Sequence, residues 1–376
     1  MSTIKVNTID NNGSNVDFPN KLKVRGNAIE QGYTASTTEP SSPSNGDYWY
    51  DTANKALYQY INSEFKTISL AAGGNAWSGD RGIIAGGEQS NNGTSINNIN
   101  YFDITTAGNT ADFGDLTNTR EHCAGLSNKT TGVICGGNSD GSRQNVMDYV
   151  TIATAGNATD FGDLTSAKSA VAASSNGTIG IIAGGYGSGS YPSSYKNEIE
   201  SITVATAGNA TDFGDLTYQG QMMTSCADAT RGIIAGGYTT AAAGDVTINY
   251  ITYASAGNAT DFGDLTSGRY TCGSCSDATR ACIGGGGSPS SNGQASIDYI
   301  TIQTAGNASD FGDMTQGRTP SAVANETRGV FCVGDTNSTF YNILDYITIQ
   351  TLGNATDFGD NTISVGKTAA CSGNAS

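Results

Sequence analysis

A nine-residue phrase occurs six times in this chain and restricts its fold more than any other feature. The first copy, at 107–115, reads Ala-Gly-Asn-Thr-Ala-Asp-Phe-Gly-Asp, and later copies begin at 155, 207, 256, 305 and 352. Their central phenylalanines recur every 47 to 52 residues: Phe113, Phe161, Phe213, Phe262, Phe311 and Phe358. A period near fifty residues, with strand-like runs between copies, predicts a propeller or a solenoid. It also argues against an enzyme, because a catalytic centre is one place and this pattern is spread evenly.

Each repeat divides into four short strand patterns. In the fourth repeat these are 222–227, 231–237, 248–253 and 261–266. The third pattern alternates apolar and polar residues, which favours a strand over a helix. Four strands in about fifty residues form one blade of a propeller. The sequence therefore predicts an all-β protein.

The two ends of the repeat array complement each other. The first copy begins with Arg81-Gly-Ile-Ile-Ala-Gly-Gly87 and lacks the short strand that precedes this pattern elsewhere. The last residues, Lys367–Gly373, supply that strand with nothing after it. We therefore expect the C-terminal strand to complete the first blade, giving six blades and no exposed sheet edge.

Composition limits the partners. The chain has 376 residues, 51 of them glycine, a net charge of −16 and only 14% charged residues. The negative electrostatic field of such a chain repels phosphate groups and anionic lipids. We therefore expect neither nucleic acid nor a membrane as partner. No segment is apolar enough to span a bilayer, and the first residues do not read as a secretory leader.

The order of features within each repeat resembles that of kelch-like propellers. Paired glycines end the second strand, and an aromatic residue and then a basic residue follow the third. The glycine pairs are Gly86-Gly87, Gly136-Gly137, Gly184-Gly185, Gly236-Gly237 and Gly285-Gly286, with Gly334-Asp335 in the last copy. Phenylalanine stands where that family usually has tryptophan. The resemblance covers about 76–376 and implies a fold, but propellers of this kind serve many functions.

Residues 1–70 resemble the N-terminal modules of bacteriophage tail fibres and other virion proteins. The likeness lies in the opening Ser-Thr-Ile-Lys-Val-Asn-Thr-Ile and in Pro-Ser-Asn-Gly-Asp-Tyr-Trp-Tyr-Asp. The latter is followed by Leu-Tyr-Gln-Tyr and by Phe65, where that pattern often has tryptophan. The alternation over 4–9 predicts a strand, 39–46 a linker, and 47–68 a small meander. The resemblance implies that residues 1–70 attach the protein to a virus particle.

Two sets of residues are candidates for ligand binding. The loops after the paired glycines vary in length, and the longest, with the start of the next, carries Tyr186, Tyr191, Tyr195 and Tyr238. Tyrosine beside small polar residues suits recognition of sugars, and it suits equally well an exposed loop that only keeps the protein soluble. The second set is the recurring basic residue, Arg120, Lys168, Arg269, Arg318 or Lys367, which is missing near Gln219. These cations either line the channel mouth and bind an acidic sugar or phosphate, or pair with the many aspartates, the favoured interpretation.

No residue pattern predicts a catalytic site, a metal site or a cofactor. His122 is the only histidine, and no nucleophile has an evident base. Calcium at the paired aspartates of each phrase remains open, although such carboxylates more often cap backbone amides. The eight cysteines read as small buried side chains, with Cys123/Cys135 and Cys275/Cys282 the only pairs placed to face each other across a hairpin.

The sequence favours a structural protein of a virus particle, a phage tail fibre or surface appendage, and not an enzyme. Residues 1–70 would bind other virion proteins, the propeller at 76–376 would be a rigid platform for host glycans or another subunit, and the assembly would be homo-oligomeric. A free carbohydrate-binding lectin or adhesin is the alternative. A glycan-cleaving enzyme is least favoured, because no unique carboxylate pair is present.

Overall fold

The computed structural model describes 76–375 apart from 90–92, 190, 241–242, 292 and 337, together with parts of the preceding chain. Those parts are 23–24, 27–28, 33–38, 40–44, 47–51, 56–61 and 64–68. Within these ranges the regular structure is entirely β, and no helix that could cross a membrane occurs there. Contacts divide the chain into two units, Met1–Gly73 and Gly74–Ser376. The strand expected at 4–9 lies outside the described residues.

The first unit contains a four-stranded sheet in which Tyr33–Ser36 runs parallel to Tyr48–Asp51. Ala56–Ile61 and Glu64–Ile68 continue this sheet as an antiparallel meander, as the alternation over 47–68 predicts. Lys23–Val24 and Asn27–Ala28 form a separate two-stranded ribbon. Trp49 is buried, and its indole N–H donates to the carbonyl of Ser36 at 3.3 Å.

The second unit is a six-bladed β-propeller, which confirms the predicted fold class. Each blade is an antiparallel sheet built around four strands, the innermost on the central channel. From inner to outer strand, the blades are Ala369–Gly373, Arg81–Ala85, Asn98–Asp103 and Ala111–Asp115 (blade 1); Ala124–Ser127, Thr131–Cys135, Val146–Thr151 and Thr159–Asp163 (blade 2); Ala172–Ser175, Ile179–Ala183, Lys196–Thr203 and Thr211–Gln221 (blade 3); Thr224–Ala227, Arg231–Ala235, Asp245–Thr252 and Thr260–Arg269 (blade 4); Gly273–Ser276, Arg280–Gly284, Ser296–Thr301 and Ser309–Asp313 (blade 5); Ser321–Ala324, Arg328–Asp335, Phe340–Thr348 and Thr356–Asp360 (blade 6).

Two short pairings lie among the loops. Asn138–Ser139 pairs with Ser142–Arg143 as a small hairpin. Tyr238–Thr239 pairs with the end of Thr211–Gln221, so the outer strand of blade 3 reaches the loop of blade 4.

Blade 1 is completed from both ends of the repeat array, as expected. Ala369–Gly373 pairs antiparallel with Arg81–Ala85, Ala369 opposite Ala85 and Gly373 opposite Arg81. Phe102 of blade 1 packs edge-on against Phe358 of blade 6, with ring centroids 5.3 Å apart. The inner strands therefore form an unbroken ring around the channel.

The repeated phrase joins each blade to the next. The Asn of one copy accepts a hydrogen bond from the backbone N–H of the last Asp in the preceding copy, as Asn157 does from Asp115 at 3.1 Å. The same bond occurs at all six junctions, the last one joining Asp360 to Asn109: the asparagines are Asn109, Asn157, Asn209, Asn258, Asn307 and Asn354. The turn asparagines are therefore structural residues.

Candidate functional site

The loops that follow the glycine pairs open on one face of the propeller, around one mouth of the channel. Tyr186, directly after Gly185, exchanges two backbone hydrogen bonds with Ser169 at 2.7 and 3.0 Å. Tyr238 is paired in the same way with Gln221 of the preceding repeat. Because Ser169 and Gln221 adjoin the channel mouth, both tyrosines are held beside it by the backbone.

Five tyrosines form a continuous series of edge-to-face contacts on this face, which we call the tyrosine arc. Tyr195 is its centre: its ring centroid lies 5.8 Å from that of Tyr186, 5.5 Å from Tyr191 and 6.2 Å from Tyr238. Tyr238 in turn lies 5.6 Å from Tyr270. The four tyrosines named from the sequence are therefore brought together. Tyr270 was missed, although it stands directly before the channel-mouth residue of its repeat, beside the loops.

Tyr191 is the exposed member of the arc. Its side chain is 63% exposed, yet its hydroxyl donates to the carbonyl of Thr240 in the next loop at 3.2 Å. This bond and the contact with Tyr195 hold the ring before any ligand arrives. A rigid aromatic side chain loses little conformational entropy on binding.

Two phenols of the arc, those of Tyr195 and Tyr270, are neutral hydrogen-bonding groups at neutral pH, because their pKa values are raised. Removal from water raises the pKa of Tyr195, which outweighs the opposing hydrogen bond with Gln221. Removal from water also raises the pKa of Tyr270, and neighbouring Tyr238 and Asp335 add to the effect. At the end of the arc the Arg143 guanidinium lies 4.1 Å from the ring centroid of Tyr186, a cation–π contact.

The channel mouth beside the arc is bounded by a ring of backbone hydrogen bonds, which we call the mouth ring. Each residue donates to its counterpart in the preceding blade: Ala170 to His122, Met222 to Ala170, Thr271 to Met222 and His122 to Lys367, at 2.7 to 2.9 Å. These five residues have left-handed φ values of 52 to 57°. Pro320 holds the sixth position, where it has no N–H to donate.

Arg120, Lys168, Arg269 and Arg318 are buried in ion pairs and do not reach the channel mouth. Arg120 and Asp148 are 2.6 Å apart, and both side chains are fully buried. The other pairs, of the same kind, are Lys168 with Glu200, Arg269 with Asp298, and Arg318 with Asp345. This arrangement is the pairing with carboxylates that the sequence favoured.

Lys367 does not belong to that set, and its assignment there was wrong. Val365 occupies the equivalent buried position, seven residues after Phe358, whereas Lys367 lies in the mouth ring. Its ammonium group pairs with Glu88 and, at 3.5 Å, with Glu121. The hydrogen bond with Glu88 and the charges of Glu121 and Glu88 raise the pKa of Lys367 despite its desolvation.

The channel is narrow and polar. A cavity of about 110 Å³ lies below the mouth ring, and one of about 70 Å³ lies at the opposite end, beside Trp77. Most residues that line the two cavities are small, although Met222 and Met223 line the first and Trp77 lines the second. At the second end Ser175 donates to the carbonyl of Ser127, and Ser127 to that of Ser372. Desolvation within the mouth, with a contribution from Lys367, lowers the pKa of His122 to about 4.

The cysteines are free and buried. Cys275 lies opposite Cys282, as anticipated, but Cys135 lies opposite Ala124, so Cys123 does not face it directly. Burial raises the pKa of Cys371 to about 12, which keeps the thiol protonated. In the described part of the chain no three His, Cys, Asp or Glu side chains cluster as metal ligands do.

No protein-family model matches the sequence, and no curated protein matches it. Function is therefore inferred from the loop face and from the sequence resemblances. The tyrosine arc is an aromatic surface on this face, and it extends from the loop of blade 3 across the loop of blade 4 to the link between blades 4 and 5.

Proposed function

We propose that this protein is a structural component of a virus particle whose kelch-like propeller presents the tyrosine arc to carbohydrates on a host surface. The arc carries the proposal. Tyr191 offers an open aromatic face, its neighbours hold it in place, and loop residues around it supply hydroxyl groups. Aromatic rings with polar groups at their edges suit sugars, which have an apolar face and a polar rim.

The virion assignment draws on residues 1–70 and their likeness to phage tail-fibre modules. In this proposal residues 1–70 bind other virion proteins, and several copies of the chain assemble together. Several copies on one particle multiply the avidity of a weak sugar site without any new contact.

The same arc would serve a free lectin or adhesin. The two functions differ in where the protein is found. Immunolabelling of purified particles is expected to detect the chain at fixed positions and in constant stoichiometry. A chain absent from particles that binds glycans tightly as a monomer would favour the lectin.

Binding by the arc is tested with Tyr191→Ala. Because this change removes the exposed ring and its bond to Thr240, we expect at least a tenfold loss of glycan affinity, about 1.4 kcal/mol or more. The measurement is a glycan array followed by calorimetry on the strongest ligand. Leu352→Ala, which trims a side chain 54% exposed on the outer rim, is the matched control and should bind normally. Equal loss in both variants, or none in Tyr191→Ala, would contradict a role for the arc.

A further inference from the structure

The mouth ring is interrupted beside the tyrosine arc. Pro320 cannot donate to Thr271, the residue that follows Tyr270, and Lys367 does not donate to Pro320. Among the described residues, the carbonyls of Thr271 and Pro320 receive no hydrogen bond, and the amide of Lys367 makes none. The interruption adjoins the cavity of about 110 Å³, which has room for several water molecules. It therefore leaves two acceptors and one donor open at one end of the arc.

The charges around the mouth are mainly negative. Glu88, Glu121 and Asp335 are buried just outside the mouth ring, and the ammonium group of Lys367 pairs with the first two. The repeat cations compensate their own buried carboxylates, so they offer no positive charge here. Arg143 lies at the far end of the arc, against Tyr186. A ligand that approaches the mouth meets an excess of acceptors and negative charge, on a protein of net charge −16.

From this geometry we infer that the tyrosine arc and the adjoining channel mouth select uncharged, hydroxyl-rich glycans and reject acidic ones. This inference rests on the function proposed above. Sugar rings lie on the arc, and hydroxyl groups donate to the carbonyls of Thr271 and Pro320 at the interruption. A carboxylate or sulfate group has no proton to donate there and is repelled by Glu88, Glu121 and Asp335. A ligand without hydrogen-bond donors would leave these carbonyls unpaired on binding. A site of this kind therefore discriminates strongly against such ligands.

The test is a glycan array that holds neutral, sialylated and sulfated members in matched pairs, probed with the full chain and with Tyr191→Ala. We expect the signals that depend on Tyr191 to come from neutral glycans, with each acidic partner weaker by roughly tenfold or more. Affinity for the best neutral ligand is expected to change less than about twofold between low and high salt, because no ion pair is screened. Tyr191-dependent binding that is confined to acidic glycans and falls with salt would overturn the inference while the proposed function stands. Absence of any Tyr191-dependent signal would overturn both.

Pro320→Ala tests the interruption itself. Alanine restores an N–H that can donate to Thr271 and close the ring, so one open acceptor is lost. We expect affinity for the neutral ligand to fall several-fold while the thermal midpoint is kept or raised. Thr356→Ala, an exposed position on the outer strand of blade 6 and away from the mouth, is the control for a substitution in this blade. Unchanged affinity in a folded Pro320→Ala protein would show that the interruption does not contact the ligand.

Discussion

At the residue scale, buried charges are retained or lost as pairs. Where Gly220 or Val365 replaces the repeat cation, the carboxylate position carries Asn249 or Asn100 instead. Leaving a buried charge without its partner costs more than the pair contributes, so both change together. Beside Gly220, the hydroxyl of Tyr218 takes over one contact of the missing cation: it donates to the carbonyl of Gly236 in blade 4 at 2.6 Å. Arg120 bonds the equivalent carbonyl of its own blade.

Asp148→Asn tests this pairing. It leaves the fully buried Arg120 without a counter-charge, and we expect a loss of about 3–5 kcal/mol in unfolding free energy. Chemical denaturation monitored by circular dichroism gives the value. Asp112→Asn, on an exposed carboxylate of blade 1, should change stability by less than about 0.5 kcal/mol. Similar effects of the two substitutions would mean that the pair is not held as described.

His122 predicts a pH dependence. Its pKa is about 4 in the folded protein and 6.5 as the ordinary value, so the unfolded chain binds a proton first on acidification. The contribution of this group is intact above pH 6.5 and is lost as pH falls from 6.5 to about 4, by about 3–4 kcal/mol in total. His122→Asn, which tolerates the left-handed backbone, should flatten the stability profile in that window. An identical profile in the variant would exclude His122 as the source.

At the element scale, the glycine of Asp-Phe-Gly-Asp explains why the phrase is so uniform. A Cβ on Gly114, at φ +148°, would lie 2.5 Å from the carbonyl carbon of Gly156 in the next blade. The outer strand and the neighbouring turn therefore approach closely enough for the Asn157 hydrogen bond only when position 114 has no side chain. The repeated phrase is the contact surface between blades.

Gly114→Ala is expected to destabilise the protein by at least about 2 kcal/mol, since backbone must move at a junction of two blades. Gly156→Ala is the matched control, because its Cβ would meet nothing within 4 Å. Thermal unfolding of both variants measures the difference. A destabilised Gly156→Ala with a stable Gly114→Ala would reverse the assignment of the close contact.

The sequence predicted elements better than it predicted contacts of individual side chains. Strand patterns, glycine pairs and closure follow from periodicity, which repetition makes unusually strong. The sequence left two interpretations of Arg120, at the channel mouth or paired with a carboxylate, and only favoured the second. Its burial could not be predicted, because it depends on neighbours from another strand. The error over Lys367 is one of counting: the buried position lies seven residues after the phenylalanine, and Lys367 lies nine after Phe358.

Within the loop face, composition indicated four tyrosines of the arc but not their contacts. Tyr270 comes from a different part of its repeat, and only the fold brings it to Tyr238. The interruption at Pro320 was equally hidden, since a missing N–H matters only once the ring of donors around it is known.

At the scale of the whole molecule, six similar blades form one closed body. The inner strands contact one another around the channel, and the bond from Asp360 to Asn109 joins the last repeat to the first. Closure removes the sheet edges that an open array would leave exposed. The blades differ mainly in the length and sequence of their loops. The tyrosine arc is the most distinctive feature that these differences create.

Removal of residues 367–376 tests closure. Blade 1 would lose its inner strand and Arg81–Ala85 its partner, so we expect either no folded product or a thermal midpoint lower by roughly 10 °C or more. Removal of residues 375–376 alone, beyond the backbone bond from Asn374 to Lys129, should leave the midpoint unchanged. A fully folded, equally heat-resistant product after the longer deletion would contradict the closed ring.

The pairing of Ala369–Gly373 with Arg81–Ala85 also sets the order of events during synthesis. Domains generally acquire structure as they emerge from the ribosome. Each of blades 2 to 6 takes its four main strands from one continuous stretch of chain, whereas blade 1 needs strands from both ends of the repeat array. Until Ala369–Gly373 leave the exit tunnel, Arg81–Ala85 lacks its inner partner strand, and blade 1 stays an incomplete sheet.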